Sequence, residues 1–185
     1  MEGGPRAGRG PSEQRRIRPS HQRKGRFLKY LKYVDVTRTM FPDQPPYQWT
    51  ENTTAPWTPI TKSLTESRVA LISSGGVHHE DQPPFRPDKN DLTFREIPSD
   101  TDAHELRISH DYYDHADAEK DVNCVFPIER MRELAADGFI GGLSQVHFTF
   151  MGRIFRKTAL INEMIPVLIT RLKALNVDLT LLVPA

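Results

Sequence analysis

The 185-residue sequence has a single cysteine, Cys124. That excludes an internal disulfide framework and a multi-cysteine zinc site, and it fits a reducing cytoplasm. No apolar run approaches the roughly 18–20 residues that a membrane-spanning helix needs. No apolar segment follows the basic N-terminus, so it does not read as a secretory signal. A dinucleotide fingerprint is also missing. Gly75 and Gly76 have no third glycine after them, and Pro83-Pro84 stand where a phosphate-binding helix would begin. Charge is nearly balanced at +1, but unevenly. Residues 1–38 hold eleven Lys and Arg against Glu2, Glu13 and Asp35, a net of +8, so the remainder carries −7. A mildly acidic domain argues against nucleic acid as its main partner.

The length allows one full domain with a tail. Residues 1–25, "MEGGPRAGRGPSEQRRIRPSHQRKG", are rich in Gly, Pro, Arg and Ser without apolar periodicity, and read as a disordered basic tail. In the segment 26–67, Phe27, Leu28, Leu31 and Val34 have helical spacing, after which Pro42, Pro45, Pro46, Pro56 and Pro59 forbid long regular elements. Tyr47, Trp49 and Trp57 lie among these prolines. They are expected to pin an extended segment to a domain surface by burying area.

Regular structure is expected over 68–185. "RVALISS" (68–74) is a short apolar strand ended by two glycines. "LTFREI" (92–97) and "ELRIS" (105–109) are weaker strands. "PIERMRELAADGF" (127–139) reads as a helix, with Pro127 at its start, Met131, Leu134 and Ala135 on its apolar face, and Gly138 at its end. Val146, Phe148 and Phe150 alternate in the strand 144–150. Ile161, Ile165, Leu168, Leu172 and Leu175 mark one face of a helix over 158–175, with a kink or late start at Pro166 and an end at Asn176. Leu179–Val183 is the last strand. The alternation predicts an α/β fold, a Rossmann-like or flavodoxin-like parallel sheet with helices on its faces.

Four stretches hold candidate chemistry. In "SSGGVHHEDQPPF" (73–85), His78, His79 and Glu80 are expected in a loop at the carboxyl end of a strand, where one histidine can donate a proton or anchor a substrate. A glycine turn with exposed polar residues is the plainer account. In "SHDYYDHADAEKD" (109–121), His110 and His115 with Asp111, Asp114 and Asp117 invite a metal reading, since imidazole and carboxylate suit zinc, iron or manganese. The spacing matches no standard metal motif, and Asp and His are common in loops as caps. The loop is expected at the same sheet edge as His78 and His79. His147 faces away from the apolar side of its strand, a position more typical of a hydrogen-bonded structural residue. Cys124 lies in apolar company before Pro127 and reads as a small buried hydrophobe rather than a reactive thiolate.

Taken together, "SRVALISSGGVHHEDQPPF", "FREIPSD", "ISHDYYDHADAEKDVNCVFPIERMRELAADGFIGGLSQVHFTFMG" and "VDLTLLVPA" resemble the glycine/sarcosine/betaine reductase selenoprotein B family, which includes the selenoprotein subunit of D-proline reductase. The segments run in family order over about 27–185, and the continuous middle block is the most specific. The resemblance implies a reductase that cleaves a C–N bond at the α-carbon of an amino acid or N-methylated relative, with a thiol/disulfide pair as electron partner. It implies a partner subunit whose pyruvoyl group holds the amine, and a thiol or selenol electron carrier.

The family's catalytic selenocysteine or cysteine directly follows a strand ending in a Leu-x-x-Pro-type sequence. Here that strand is Leu179–Pro184, so the nucleophile is expected just beyond Ala185. No cofactor-binding or metal-binding residue is assigned within the chain. On this reading the sequence is the N-terminal half of the family fold, read to a UGA codon that also encodes selenocysteine. A half-sheet of this kind is expected to be poorly stable alone. His78, His79, His110, Tyr112, Asp114 and His147 are the polar residues expected around the missing nucleophile, as proton donors or carboxylate contacts. Two other readings stand beside it: a metal-dependent hydrolase or lyase using the His110–His115 loop, and a non-catalytic interaction module.

Overall fold

The structure, a computed structural model, describes residues 32–40, 42–43, 51–86 and 90–185. The chain divides into two units, Met1–Pro56 and Trp57–Ala185. The first contains helix α1 (Tyr33–Met40), none of whose side chains is buried. The expected basic tail 1–25, the start of the Phe27–Val34 helical spacing, and Tyr47 and Trp49 lie outside the described residues. Trp57, expected to pack down, is 82% exposed. Pro56 and Pro59 flank a stretch with no regular structure.

The second unit is an α/β domain. Its strands are β1 (Arg68–Ser73), β2 (Val77–His79), β3 (Phe94–Pro98), β4 (Leu106–Ile108), β5 (Gly142–Leu143), β6 (Val146–Phe150) and β7 (Leu179–Val183). The helices are α2 (Ala116–Lys120), α3 (Ile128–Ala136), α4 (Lys157–Ala159) and α5 (Ile165–Ala174), the last two joined by a π-helical turn, Leu160–Met164. β1 is the central strand. Val69 pairs with Leu143 on one side and Leu179 on the other, so β5 and β6 flank β1 on one edge and β7 on the opposite edge. These pairings are parallel. β3 then joins the far side of β6 in antiparallel register, Glu96 opposite Phe148, so the sheet is mixed rather than wholly parallel. β2 and β4 form a separate antiparallel pair.

Side-chain alternation along β1 sorts the core into two layers. Val69 packs with Met131 and Ile140, and Leu71 with Phe126 and Ile128, placing α3 on that face. Ile72 packs with Phe148 and Leu168, placing α5 on the other. The chain leaving β1 enters β2, whose Val77 joins the α3 layer, whereas the chain leaving β6 leads to α5. Two adjacent parallel strands therefore send their connections to opposite faces. Such a divergence opens a crevice at their carboxyl ends.

Local chemistry explains most element boundaries. α3 ends at Ala136 because Gly138 takes the left-handed conformation (φ +70°), which lets Phe139 N–H reach the Leu134 carbonyl at 2.9 Å. Asn176 (φ +53°) ends α5 in the same way, with Val177 N–H on the Leu172 carbonyl at 3.1 Å. The helix over 157–174 does not start late at Pro166; it begins at Lys157 and runs through a π-helical turn. Pro166 lacks an N–H and its ring would clash with the carbonyl four residues back, and the π-helical turn just before it widens the helix at that point. One consequence is that Ile161, expected on the inner face, is exposed, and Met164 is buried instead. Among the described residues no helix is long and apolar enough to cross a membrane.

β7 is apolar, yet Leu181 is 42% and Leu182 65% exposed, and no described strand pairs with its outer edge. An uncovered apolar parallel edge is a template for further pairing. The 185-residue chain is expected to self-associate with rising concentration by light scattering, and Leu182→Lys should reduce this several-fold. At Gly76 (φ +68°) an added Cβ would lie 2.5 Å from the Ser109 carbonyl oxygen. Gly76→Ala should therefore destabilise the fold by about 1–3 kcal/mol, read from chemical denaturation.

Candidate functional site

The carboxyl ends of β1, β6 and β7 are tied together through one residue, Ser74. Its N–H donates to the Val183 carbonyl at 3.1 Å, its carbonyl accepts Gly152 N–H at 2.9 Å, and its hydroxyl oxygen accepts Ala185 N–H at 3.0 Å. Gly152 has to be small here, since a Cβ would stand 3.0 Å from that of Ser74. Beyond Ser74, Gly75 bridges Met151, and Gly76 N–H donates to the Phe150 carbonyl at 3.0 Å.

The 109–115 loop closes over this edge. Ser109 N–H donates to the Gly76 carbonyl at 2.9 Å, and Tyr113 donates its hydroxyl proton to the Gly75 carbonyl at 3.0 Å. His110 is buried, with its ring 4.7 Å from that of Tyr113. Its Nδ1 accepts Tyr112 N–H at 3.2 Å, so the neutral ring carries its proton on Nε2. Burial holds His110 below its ordinary pKa. Asp111 opposes that shift, and the His115 and Arg153 charges reinforce it. Burial also raises the Tyr113 phenol, as does Glu119. Tyr112 is 54% exposed, and the Arg153 guanidinium lies over its ring at 3.6 Å.

The six expected residues do not form one cluster. His110 and Tyr112 lie at the crevice. His78 lies in strand β2 rather than in a loop; its Nδ1 meets the His79 carbonyl at 2.9 Å and its Nε2 the Ser109 hydroxyl at 2.9 Å. A carbonyl only accepts, so Nδ1 carries the proton and Ser109 donates to Nε2. His79 is also in β2, 3.3 Å from Glu105 Oε2, on the β4 side. Asp114 accepts Ala116 N–H at 3.1 Å and so starts α2. His147 is fully buried beneath the crevice; its Nδ1 accepts Leu71 N–H at 2.9 Å, and its Nε2 has no hydrogen-bond partner.

His110 and His115 sit against the same Tyr113 ring, at 4.7 and 5.6 Å, and among the described residues no three His, Cys, Asp or Glu side chains are placed to hold a metal. Cys124, expected to be buried, is exposed at the end of a 3-10 turn, its sulfur 4.0 Å from the Asp117 carbonyl. The apolar neighbours Val125 and Phe126 turn inward instead. A groove of about 720 Å³ lies by β3 around Arg95 and Arg156 and contains none of the six.

Three residues of the site were missed by the sequence reading: Ser74, Tyr113 and Arg153. Each had a signal. Ser74 directly follows the strand and precedes the glycine pair. Tyr113 is the second half of a Tyr-Tyr doublet in the loop, and Arg153 is the first cation after "HFTFMG".

The fold and its edge define an α/β domain with polar residues gathered at the carboxyl ends of its parallel strands. Within that class the chain belongs to the glycine/sarcosine/betaine reductase selenoprotein B family, whose model matches residues 44–184. It is 40% identical over 126 residues to D-proline reductase subunit gamma of Acetoanaerobium sticklandii, covering 68% of this chain and 52% of that protein. It is 28% identical over 105 residues to glycine reductase complex component B subunit gamma of Carboxydothermus hydrogenoformans. It is 31% identical over 102 residues to sarcosine reductase complex component B subunit beta of Peptoclostridium acidaminophilum. Each of these two alignments covers 52% of this chain and 23% of the relative. The chain thus spans about half the length of the first relative and about a quarter of the other two. No solved structure matches it.

Burial, and behind it the Arg132 charge, pushes His147 down to about 4. In the unfolded chain a histidine protonates near pH 6.5. Between those values only the unfolded state takes up the proton, so His147 removes stability as pH falls from about 6.5 to 4, with no further loss below. The full loss is about 3 kcal/mol. His147→Asn places an amide oxygen at the Nδ1 position, keeps an acceptor for Leu71 N–H and does not titrate. Denaturation at several pH values should show the wild-type chain losing more stability across that window than the variant.

Proposed function

We propose that this chain is the N-terminal half of a reductase subunit that cleaves the C–N bond at the α-carbon of an amino acid or N-methylated amino acid. Residues 68–185 are its reductase domain. The nucleophile is a selenocysteine or cysteine placed directly after Ala185. The observation that carries the reading is the position of Ala185: it is exposed, just past the carboxyl end of β7, and its N–H is held by the Ser74 hydroxyl, whose own carbonyl holds Gly152 N–H. A nucleophile needs that combination of access and fixed geometry. Selenolate suits the task because it is ionised at neutral pH, as an activated thiolate is.

The net reaction places one hydrogen on the α-carbon and sends the amine away with a proton, while a thiol–selenol pair supplies two electrons and ends oxidised. A pyruvoyl group on a partner subunit supplies the electron-withdrawing anchor for the amine. That the relatives are named as subunits or components of reductases supports such an assembly. Within this chain, His110 stays neutral near pH 7 and presents an N–H at Nε2, suited to a hydrogen bond with substrate or leaving group. His147 and Asp114 act structurally, through Leu71 and α2.

The nucleotide sequence after the Ala185 codon tests this. The expected result is UGA, or a cysteine codon, followed by an open frame encoding further α/β sequence. A different stop codon, or a closed frame beyond it, would sink the proposal.

A further inference from the structure

β7 leaves apolar side chains uncovered on both faces of the sheet. Leu182 pairs with Ile72 and so points to the α5 layer, whereas Leu181 pairs with Leu71 and points to the α3 layer. Both are exposed. Lys62 ties down the start of the strand through Asp178 at 2.7 Å, and the exposed leucines lie beyond that point. On the α5 layer the apolar surface continues onto the helix. Arg171 makes a bidentate ion pair with Glu96, 2.7 Å at each nitrogen, which turns that side of α5 toward β3. Ile169 stands two residues earlier, roughly 200° around the helix. It therefore faces the β7 side, where it is 44% exposed. Leu182 and Ile169 thus share one open corner beside the free edge of the sheet.

The route of the chain says what kind of element fits that corner. From β1 the connection that crosses the α3 face leads to β5 and β6 on one side. From β6 the connection through α5 crosses the other face and leads to β7 on the opposite side. Direction and face are both reversed, so the two crossovers have the same hand, as parallel connections almost always do. A further step beyond β7 continues in the second direction, and keeping that hand takes it over the α5 face. That is the face on which Leu182 and Ile169 are left uncovered. A parallel crossover needs about a dozen residues or more. In the D-proline reductase relative the 126 matched residues are 52% of the chain, which leaves room for more than one such unit. We infer, on the reading given under Proposed function, that the segment encoded after Ala185 packs a helix against Ile169 and Leu182 and returns as a strand parallel to β7 on its outer edge.

Backbone alternation supplies the probe. Asp178 N–H donates to the Arg68 carbonyl at 2.9 Å, so Thr180 and Leu182 also direct their N–H groups at β1, and Leu181 directs its own outward. Hydrogen exchange at single amides is measured on the full-length subunit, expressed from the complete reading frame. The expected result is that Leu181 is protected to within about ten-fold of Thr180 and Leu182. Faster exchange than that would overturn the inference. So would protection that disappears on dilution, since a second copy would then be the occupant. p-Benzoylphenylalanine placed at Ile169 or at Leu182 should cross-link, within one chain, to a peptide encoded after Ala185. A product with a second copy or with a peptide preceding Trp57, or no product from either position, would overturn the assignment. Capture of that peptide from Leu134 on α3 in place of Ile169 would do the same, because the crossover would then lie on the wrong face. Edge protection and cross-linking in a subunit without reductase turnover would count against the reductase reading and leave the packing assignment standing. A closed reading frame after Ala185 would remove both.

Discussion

The hydrogen bond from Leu71 N–H to His147 Nδ1 is the constraint on which the upper half of this sheet depends. β1 pairs with β5 at Arg68 and Val69 and with β6 at Ile72 and Ser73. Between them the chain breaks at Ser144 and Gln145, and Leu71 would lose its ladder partner in the middle of the core. A buried N–H left unmade costs about 1–3 kcal/mol. An imidazole nitrogen from the next strand fills the gap, where the register against β1 slips by two residues between β5 and β6. Beyond β1 the pairing turns antiparallel, with Phe150 against Gly76, Met151 against Gly75 and Gly152 against Ser74.

The same bond explains the chemistry of His147. Its Nδ1 must stay unprotonated to accept, and its Nε2 proton points into the apolar surroundings of Phe126. An interior of this kind favours a neutral ring. His110 is neutral for a related reason but faces a different audience: aromatic rings, an exposed tyrosine and a guanidinium. Two histidines held uncharged by burial do different work because one lies inside the sheet and the other at its rim.

The strands with strong apolar patterns were legible in the sequence. The β1 run, the Val146–Phe148–Phe150 alternation and Leu179–Val183 all appear where expected, because burial on one or both faces leaves a periodic trace. Gly138 and Asn176 also marked their helix ends, since few residues tolerate a left-handed backbone. Short elements were not legible. β2, β5 and α2 span two to five residues, too few for a period to show. The antiparallel β3 was read as a strand, but its direction is set by what it pairs with rather than by its own residues. Of the site, His110 and Tyr112 were found because His and Tyr in a strand-end loop stand out. Ser74 was passed over because its work is done mainly by its backbone, and Arg153 because an arginine beyond a strand looks like ordinary surface charge.

Ser74 joins three strand ends with three hydrogen bonds, and none of the three involves another side chain. Such a junction transmits displacement. A change of geometry at Ala185 pulls on the Ser74 hydroxyl. The strain then passes through the Ser74 carbonyl to Gly152 and the loop that carries Arg153. The ends of β1, β6 and β7 are mechanically linked through one residue, so a displacement at any of them is felt at the other two.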